Sequence, residues 1–289
     1  MKKFVFALMI ILIAGCSYIF FSGSTSSTNI KNTANTMVGN GPSISAKSAA
    51  ALDYTNNSIY YKKKADEPLA IASISKLMTI YLTYEALQDG KLYLDDVLPL
   101  KSLDDPQAVS LGRMTGVTEY TVDDLMNAAL VYSANDAAET LGYAIAKNKF
   151  VDKMNQTANN LGMEHTKYVS ASGLDKNGVA ATSTAHNLLI LSKALLDKYP
   201  EVLSITQQSE VELSDGTYLP TTNELLTNGT VKGVDGLKTG FTDEAGYCFI
   251  GTAKQNNKRM IVVVLNEKES DLRFQTAETL LNYGFDENK

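Results

Sequence analysis

Apolar segments short enough to be strands occur near both ends of the chain. In the amino-terminal part, residues 49–52 and 58–61 flank a polar turn, a pattern typical of a β-hairpin. In the carboxyl-terminal part, residues 236–239, 247–253 and 260–265 are apolar and separated by turn residues. This spacing predicts an antiparallel meander of three strands.

Between these segments, apolar residues recur at helical spacing. A helix is predicted from Ser73 to about Gly90, and apolar side chains cover most of its circumference, which is typical of a buried helix. The same spacing predicts further helices at residues 125–131, 136–146, 151–161 and 184–196, and a final helix after the last strand segment, at residues 271–283.

The order of these elements predicts an α+β fold. Strands from both ends of the chain would form one antiparallel sheet of about five strands, flanked by helices. An all-helical lobe, at about residues 96–212, would be inserted between them. The cleft where the lobe meets the sheet is the expected place for a binding pocket.

The first 23 residues form a separate unit. Lys2 and Lys3 precede an uncharged, mainly apolar stretch, which is typical of a secretory signal or a membrane anchor. Within it, the segment Leu12–Cys16 resembles a bacterial lipobox, whose cysteine becomes lipidated. An uncleaved transmembrane helix and a plain cleaved signal are the alternatives, because about eighteen apolar residues nearly span a hydrocarbon core. All three alternatives export the rest of the chain.

Residues 24–45 are predicted to be a flexible linker, since they are rich in Ser, Thr, Asn and Gly and lack an apolar period. Residues 46–289 would then form the folded domain. We expect this domain to lie outside the cytoplasm, tethered to the bacterial cell membrane through its amino terminus.

Composition narrows the class of protein further. The chain has 289 residues, of which 44% are hydrophobic and 20% charged, which fits a globular domain with a sizeable core. A net charge of −6 argues against nucleic acid as a partner. Two cysteines cannot form a disulfide framework, and no Cys–His spacing indicates zinc. We expect neither a metal nor another cofactor.

Three short motifs, far apart in the chain, carry candidate chemistry: Ser73–Lys76, Ser133–Asn135 and Lys238–Gly240. Each alone is weak, since such short strings arise by chance or cap helices and end strands. Together they supply a hydroxyl nucleophile, an amine to deprotonate it, a proton-relaying hydroxyl, an amide and a cation. That set is sufficient for acyl transfer without histidine.

The spacing within the first motif supports this chemistry. Ser73 would lie at the start of a helix, where backbone N–H groups favour developing negative charge. Lys76 follows three residues later and therefore lies on the same face. A lysine acts as a base only when it is neutral. Burial and a second cation lower the pKa of a lysine, and Lys238 is the candidate for that cation.

From about Ser45 to Phe285, the chain resembles the low-molecular-mass penicillin-binding proteins that act as serine D-alanyl-D-alanine carboxypeptidases, with a β-lactamase/transpeptidase-like fold. Ala134 stands where glycine is usual in that family. The resemblance extends beyond the motifs, over residues 71–79, 120–122, 133–138, 172–174, 223–226, 234–242, 245–247 and 283–285.

The resemblance implies a role for each motif residue. Ser73 would be acylated by the penultimate D-alanine carbonyl, Lys76 would take its proton, and Ser133 would relay protons. Asn135 would contact the substrate backbone.

The same resemblance places the substrate carboxylate and the oxyanion. Lys238 and Thr239, with Gly240 beside them, would bind the region of the terminal carboxylate. Arg273 resembles the carboxylate-binding arginine of the family, the alternative being a surface arginine on the last helix. The backbone amides of Ser73 and Phe241 would form the oxyanion hole.

The implied function is removal of the terminal D-alanine from peptidoglycan pentapeptide, with penicillin and other β-lactams as covalent inhibitors. A serine β-lactamase is one alternative, but its deacylating glutamate would fall at Val169, and Glu164 lies nearby without the surrounding pattern. A catalytically silent penicillin-binding or sensing module is the other.

Overall fold

The structure is a computed structural model that describes residues 41–286. The predicted signal or anchor, with its lipidation candidate Cys16, and most of the predicted linker lie outside the described residues. Within residues 41–286, no helix combines the length and the apolar character that crossing a membrane requires.

A five-stranded antiparallel sheet forms the centre of the molecule, with strand order β2-β1-β11-β10-β9. It combines the predicted hairpin with the predicted meander, which confirms the α+β fold. In chain order, the strands of the described part are β1 (Ser48–Asp53), β2 (Ser58–Lys63), β3 (Leu69–Ala70), β4 (Val97–Pro99), β5 (Glu119–Thr121), β6 (Thr182–Ser183), β7 (Glu210–Glu212), β8 (Tyr218–Pro220), β9 (Val234–Thr242), β10 (Gly246–Gln255) and β11 (Lys258–Glu267).

The sheet is covered on both faces, which explains the nearly continuous apolar sequence of β11. Successive side chains of a strand point to opposite faces. Val262 and Val264 pack in the cluster under the carboxyl-terminal helix, whereas Ile261 and Val263 join the larger core on the other face. All four side chains are fully buried.

The helices surround this sheet and build the inserted lobe. The α-helices of the described part are α1 (Lys76–Gln88), α2 (Leu111–Thr115), α3 (Val122–Asn127), α4 (Asn135–Ala146), α5 (Phe150–Asn160), α6 (Ala185–Lys198), α7 (Val202–Thr206), α8 (Glu224–Asn228) and α9 (Ser270–Asp286). Helix α1 is buried around most of its circumference, as its apolar pattern predicts.

The inserted lobe is mainly helical but also contains strands. The short ladders β4–β5 and β7–β8 lie at its boundaries, and the helical spacing of the sequence does not predict them. Two- and three-residue strands are too short to show an alternating pattern, so "all-helical" overstates the lobe.

A buried carboxylate fixes the part of the lobe that faces the cleft. Asp136, at the start of α4, accepts hydrogen bonds from Ser110 Oγ at 2.6 Å and from the backbone N–H groups of Leu111 and Gly112 at 2.9 Å. These groups form the amino-terminal turn of α2, where a negative charge is favourable. The loop before α2 is thereby held against the start of α4.

Candidate active site

Ser73 and Lys76 lie side by side at the base of the cleft. The predicted helix begins as a 3₁₀ turn, Ala72–Ser75, that leads directly into α1. The two side chains therefore project to the same side, and Lys76 Nζ lies 2.7 Å from Ser73 Oγ. Lys76 is fully buried, whereas Ser73 is half-buried.

Two further acceptors orient the Lys76 amine. Its Nζ donates to Asn135 Oδ1 at 2.7 Å and to the backbone carbonyl of Ser172 at 2.8 Å. A neutral amine has two N–H bonds, and these acceptors use both of them. The lone pair that remains faces the Ser73 hydroxyl, so the geometry suits a neutral Lys76 acting as a base.

The surroundings of Lys76 favour that neutral form. Burial lowers its pKa to about 7, although the negative charges of Glu139 and Asp136 act in the opposite direction. The expected effect of burial is confirmed as the largest cause, whereas Lys238, the expected second cation, is not among the causes of the shift. A substantial fraction of Lys76 is neutral near physiological pH.

The backbone around the nucleophile adopts conformations that are unusual for residues with side chains. Ala72 has φ +46° and Ser133 has φ +69°, both in the left-handed region. Gly173 has φ +84°, and a Cβ there would lie 2.0 Å from the carbonyl oxygen of Ala72. The Ser172–Gly173 loop thus packs directly against the turn that carries Ser73.

Asn135 joins the site from the lobe, two residues after Ser133, whose role as a proton relay stays a prediction. A π-helical turn, Ala128–Tyr132, ends at Ser133, and α4 begins at Asn135. The Asn135 side chain accepts from Lys76, and its Nδ2 donates to the carbonyl of Val109 at 3.1 Å. Both ends of this amide are therefore engaged in holding Lys76 and the loop, while its contact with substrate stays a prediction.

The edge strand β9 forms the opposite wall. Gly240 lies against the nucleophile turn, since a Cβ there would lie 2.9 Å from the carbonyl oxygen of Ile71. Lys238 is 1% exposed, and its Nζ donates to the Thr239 carbonyl at 3.0 Å. The hydroxyls of Thr239 and Thr222 lie 2.7 Å apart and link β9 to the segment before α8.

Arg273 lies behind this strand and is buried, so the alternative of a surface arginine is wrong. It is 8% exposed; its Nη1 donates to the Gly240 carbonyl at 3.5 Å and its Nη2 to Ser270 Oγ at 3.1 Å. Its Nε has no partner among the described residues. Within residues 41–286, no carboxylate forms an ion pair with Lys76, Lys238 or Arg273.

Burial and neighbouring positive charges depress the pKa of Lys238. Burial, together with the charges of Lys76 and Arg273, lowers the pKa of Lys238 well below its ordinary value. Burial also lowers the pKa of Arg273. In a chain of net charge −6, this wall of the cleft is a local positive region that a carboxylate ligand would stabilise.

A stack of aromatic rings supports Arg273. Its guanidinium carbon lies 5.2 Å from the ring centroid of Tyr247, within cation–π distance. On β9, Phe241 stacks on the same tyrosine with ring centroids 4.3 Å apart. Phe241 is 47% exposed and covers Tyr247 from solvent. Tyr247 therefore positions the guanidinium.

For the activity that the family resemblance implies, we predict that Tyr247→Leu raises KM for peptides ending in a free carboxylate by about tenfold. The variant removes one of two cation–π contacts of Arg273, and the contact with Phe274, 4.7 Å from the guanidinium carbon, remains. The Tyr247→Phe variant keeps the ring and should retain the wild-type KM. The measurement compares carboxylate-ended and amide-ended peptides. An equal loss on both would show that Tyr247 acts only on the stability of the fold.

Two groups at the site were missed by the sequence analysis. The Ser172 carbonyl is a backbone group and carries no residue signature. Glu139 accepts hydrogen bonds from the Ser172 hydroxyl at 2.7 Å and from its N–H at 3.0 Å, and so fixes that carbonyl. Its position four residues after Asn135 on a helix places both side chains on one face and could have revealed it.

Comparison with known proteins agrees with this geometry. The family model described as D-alanyl-D-alanine carboxypeptidase (Peptidase S11) matches residues 34–269, a range that includes Ser73, Ser133 and Lys238. The chain belongs to this family. Arg273 lies just beyond the matched residues, so its assignment depends on the structure and on the resemblance above.

Two carboxypeptidases of the family illustrate the degree of similarity. D-alanyl-D-alanine carboxypeptidase DacC of Escherichia coli is 33% identical over 254 residues, which are 84% of this chain and 62% of the relative. DacF of Bacillus subtilis is 33% identical over 250 residues, or 83% of this chain and 62% of the relative. The chain thus spans less than two thirds of their length.

A solved structure of similar length is closer in sequence. Penicillin-binding protein D2 from Listeria monocytogenes, in its cefotaxime-bound form, is 46% identical with a TM-score of 0.82. The match covers 85% of this chain and 99% of that protein. This chain therefore shares the fold of that penicillin-binding protein.

Proposed function

We propose that this protein is a serine D-alanyl-D-alanine carboxypeptidase that removes the terminal D-alanine from peptidoglycan stem peptides. The observation that carries the proposal is the placement of the Lys76 amine. Its Nζ lies 2.7 Å from Ser73 Oγ, 2.7 Å from Asn135 Oδ1 and 2.8 Å from the Ser172 carbonyl oxygen. A neutral amine that donates to Asn135 and Ser172 therefore directs its lone pair at the Ser73 hydroxyl. The family and the relatives' names support the same reaction.

Acylation follows from this arrangement. The neutral Lys76 amine accepts the Ser73 proton while Ser73 Oγ attacks the carbonyl carbon of the penultimate D-alanine. The backbone N–H groups of Ser73 and Phe241 stabilise the oxyanion. The carbon–nitrogen bond then breaks, and the leaving amine of D-alanine takes a proton that Ser133 relays from Lys76.

Deacylation reverses the proton transfers. Water attacks the ester carbonyl, Lys76 accepts a proton from that water, and Ser73 leaves with a proton restored to its oxygen. The terminal carboxylate of the substrate is bound by the positive wall of Lys238, Thr239 and Arg273. This explains why cations without carboxylate partners are kept there.

β-Lactams are proposed as covalent inhibitors that acylate Ser73. The cefotaxime-bound and ampicillin-bound forms of the Listeria protein support this. We further propose an extracytoplasmic location with the amino terminus attached to the membrane, through lipid on Cys16 or through an uncleaved helix. The apolar stretch beginning at Phe4 supports attachment.

A serine β-lactamase is the weaker candidate. Val169 stands where its deacylating glutamate would be, and Glu164 is exposed. Glu139, the carboxylate near Lys76, accepts hydrogen bonds from the N–H and the hydroxyl of Ser172. Penicillin should therefore acylate Ser73, and the resulting acyl-enzyme should hydrolyse slowly.

The test of function is release of D-alanine from a peptide ending in D-alanyl-D-alanine. We expect release by the wild type, loss of release in Ser73→Ala, and slow turnover of penicillin. A folded wild-type protein that becomes acylated by penicillin but releases no D-alanine would favour the silent module. Rapid penicillin hydrolysis would favour the β-lactamase.

The pKa of Lys76 sets the expected pH dependence of acylation. Its neutral fraction rises with pH through about 7. The second-order rate constant for penicillin acylation should thus fall about tenfold for each pH unit below that value and level off above it. Stopped-flow acylation across this range measures it. A profile that is flat through pH 7 would show that Lys76 is not the base.

A further inference from the structure

A cavity of about 550 Å³ opens beside the catalytic cleft and is not used by the mechanism above. Ser170, Ala171 and Leu174 line it on both sides of the Ser172–Gly173 loop, and Thr242 lines it from the end of β9. Its volume is within the range of small-ligand sites and exceeds that of one side chain.

The direction in which the proposed function places the peptide leads into this cavity. In that proposal the terminal carboxylate binds at Lys238 and Thr239, and the reacting carbonyl binds at the N–H of Phe241, further along β9. A peptide that passes these two points in this order runs antiparallel to β9. Its next residue toward the amino terminus, the third from the carboxyl end, therefore lies beside Thr242, where the cavity opens.

One carboxylate lining the cavity is held in place. Asp104, Asp105 and Asp175 also line it, but they are exposed, so water screens their charges. Glu139 is half-buried. Within the described residues, both hydrogen bonds that it accepts use Oε1, which leaves Oε2 available to a ligand.

The basic side chains that line the cavity do not neutralise the negative charge of Glu139. Lys101 is directed over the ring of Tyr143, with its Nζ 4.2 Å from the centroid. Lys147 and Lys176 are exposed at the rim. Glu139 therefore has no ion-pair partner in the part of the chain that the structure describes.

We infer that the cavity binds the side chain of the third residue from the carboxyl end of the substrate, and that Glu139 accepts a hydrogen bond from a free ammonium group there. The inference rests on the proposed function. It makes the enzyme selective for stem peptides whose side-chain amine is free, over peptides in which that amine is acylated by a cross-link.

Three tripeptides, each acetylated on its α-amine, test the inference. They end in D-alanyl-D-alanine and carry L-lysine, Nε-acetyl-L-lysine or L-norleucine as the first residue. For the wild type, kcat/KM should be about tenfold higher for lysine than for the other two, because a charged hydrogen bond is lost with each of them. Equal values for the three peptides would overturn the inference without any variant.

Two charge-removing variants identify the residue responsible. Glu139→Gln keeps an acceptor for Ser172 but removes the charge, and we expect the preference for lysine to fall to about one. Glu139 also acts on Lys76, and this effect changes kcat/KM for all three peptides by the same factor. The factor cancels in the ratio of kcat/KM between the lysine peptide and the other two. The matched control Glu164→Gln, on an exposed loop outside the cavity, should keep the preference.

The remaining outcomes separate the two proposals. A lysine preference that persists in Glu139→Gln overturns the assignment of Glu139. Release of D-alanine from all three peptides at equal rates overturns the inference alone and leaves the proposed function standing. Release from none of them by a folded wild type overturns both.

Discussion

Lys76→Met should reduce the rate of Ser73 acylation by about a thousandfold, for penicillin and for peptide alike. Methionine has a similar length but cannot accept the proton, so the general-base contribution is removed. Asn135 Oδ1 and the Ser172 carbonyl also lose their donor. The measurement is the second-order rate constant for formation of the penicilloyl-enzyme.

The fold of this variant is checked by its thermal unfolding. Burial of Lys76 opposes its charged form, so replacing it with an apolar side chain should leave the domain folded. Lys232→Met, at an exposed lysine, is the matched control and should acylate at the wild-type rate. A folded Lys76→Met protein that acylates as fast as this control would rule out the lysine as base.

Gly173→Ala should both destabilise the domain and inactivate the site. A Cβ at this position would lie 2.0 Å from the carbonyl oxygen of Ala72 and 3.1 Å from the N–H nitrogen of Ser73. The nucleophile turn must therefore move. We expect the free energy of unfolding to fall by about 3 kcal/mol and acylation to fall by about a hundredfold.

The Gly178→Ala variant distinguishes the effect of steric overlap from the effect of backbone strain. Gly178 has φ +71°, close to the value of Gly173, but a Cβ there would meet nothing within 4 Å. Its cost should be the left-handed conformation alone, about 1 kcal/mol, with acylation unchanged. Denaturant unfolding measures both variants. Equal small losses would mean that the loop does not hold the nucleophile turn in place.

Local features of the site were predictable because sequence spacing sets them. Ser73 and Lys76 are three residues apart at the start of a helix, and any helical turn brings them to one side. The sheet followed in the same way from the apolar segments that became β10 and β11. The close approach of Gly173 to Ala72 was not predictable, because it joins residues that lie far apart in the sequence.

Long-range features required the family resemblance or the structure. Nothing in the spacing of Arg273 places it behind Gly240, because the α9–sheet packing decides that position. The burial that lowers the Lys76 pKa is equally a property of the folded core. The Ser172 carbonyl carries no side-chain signature, and the same atom occurs at every residue.

Covalent labelling of Ser73 by penicillin tests the central claim most directly. Intact mass spectrometry of the folded wild type, with peptide mapping of the adduct, should show one penicilloyl group on Ser73 and none in Ser73→Ala. Absence of an adduct from the folded wild type, or an adduct that persists in Ser73→Ala, would contradict the account.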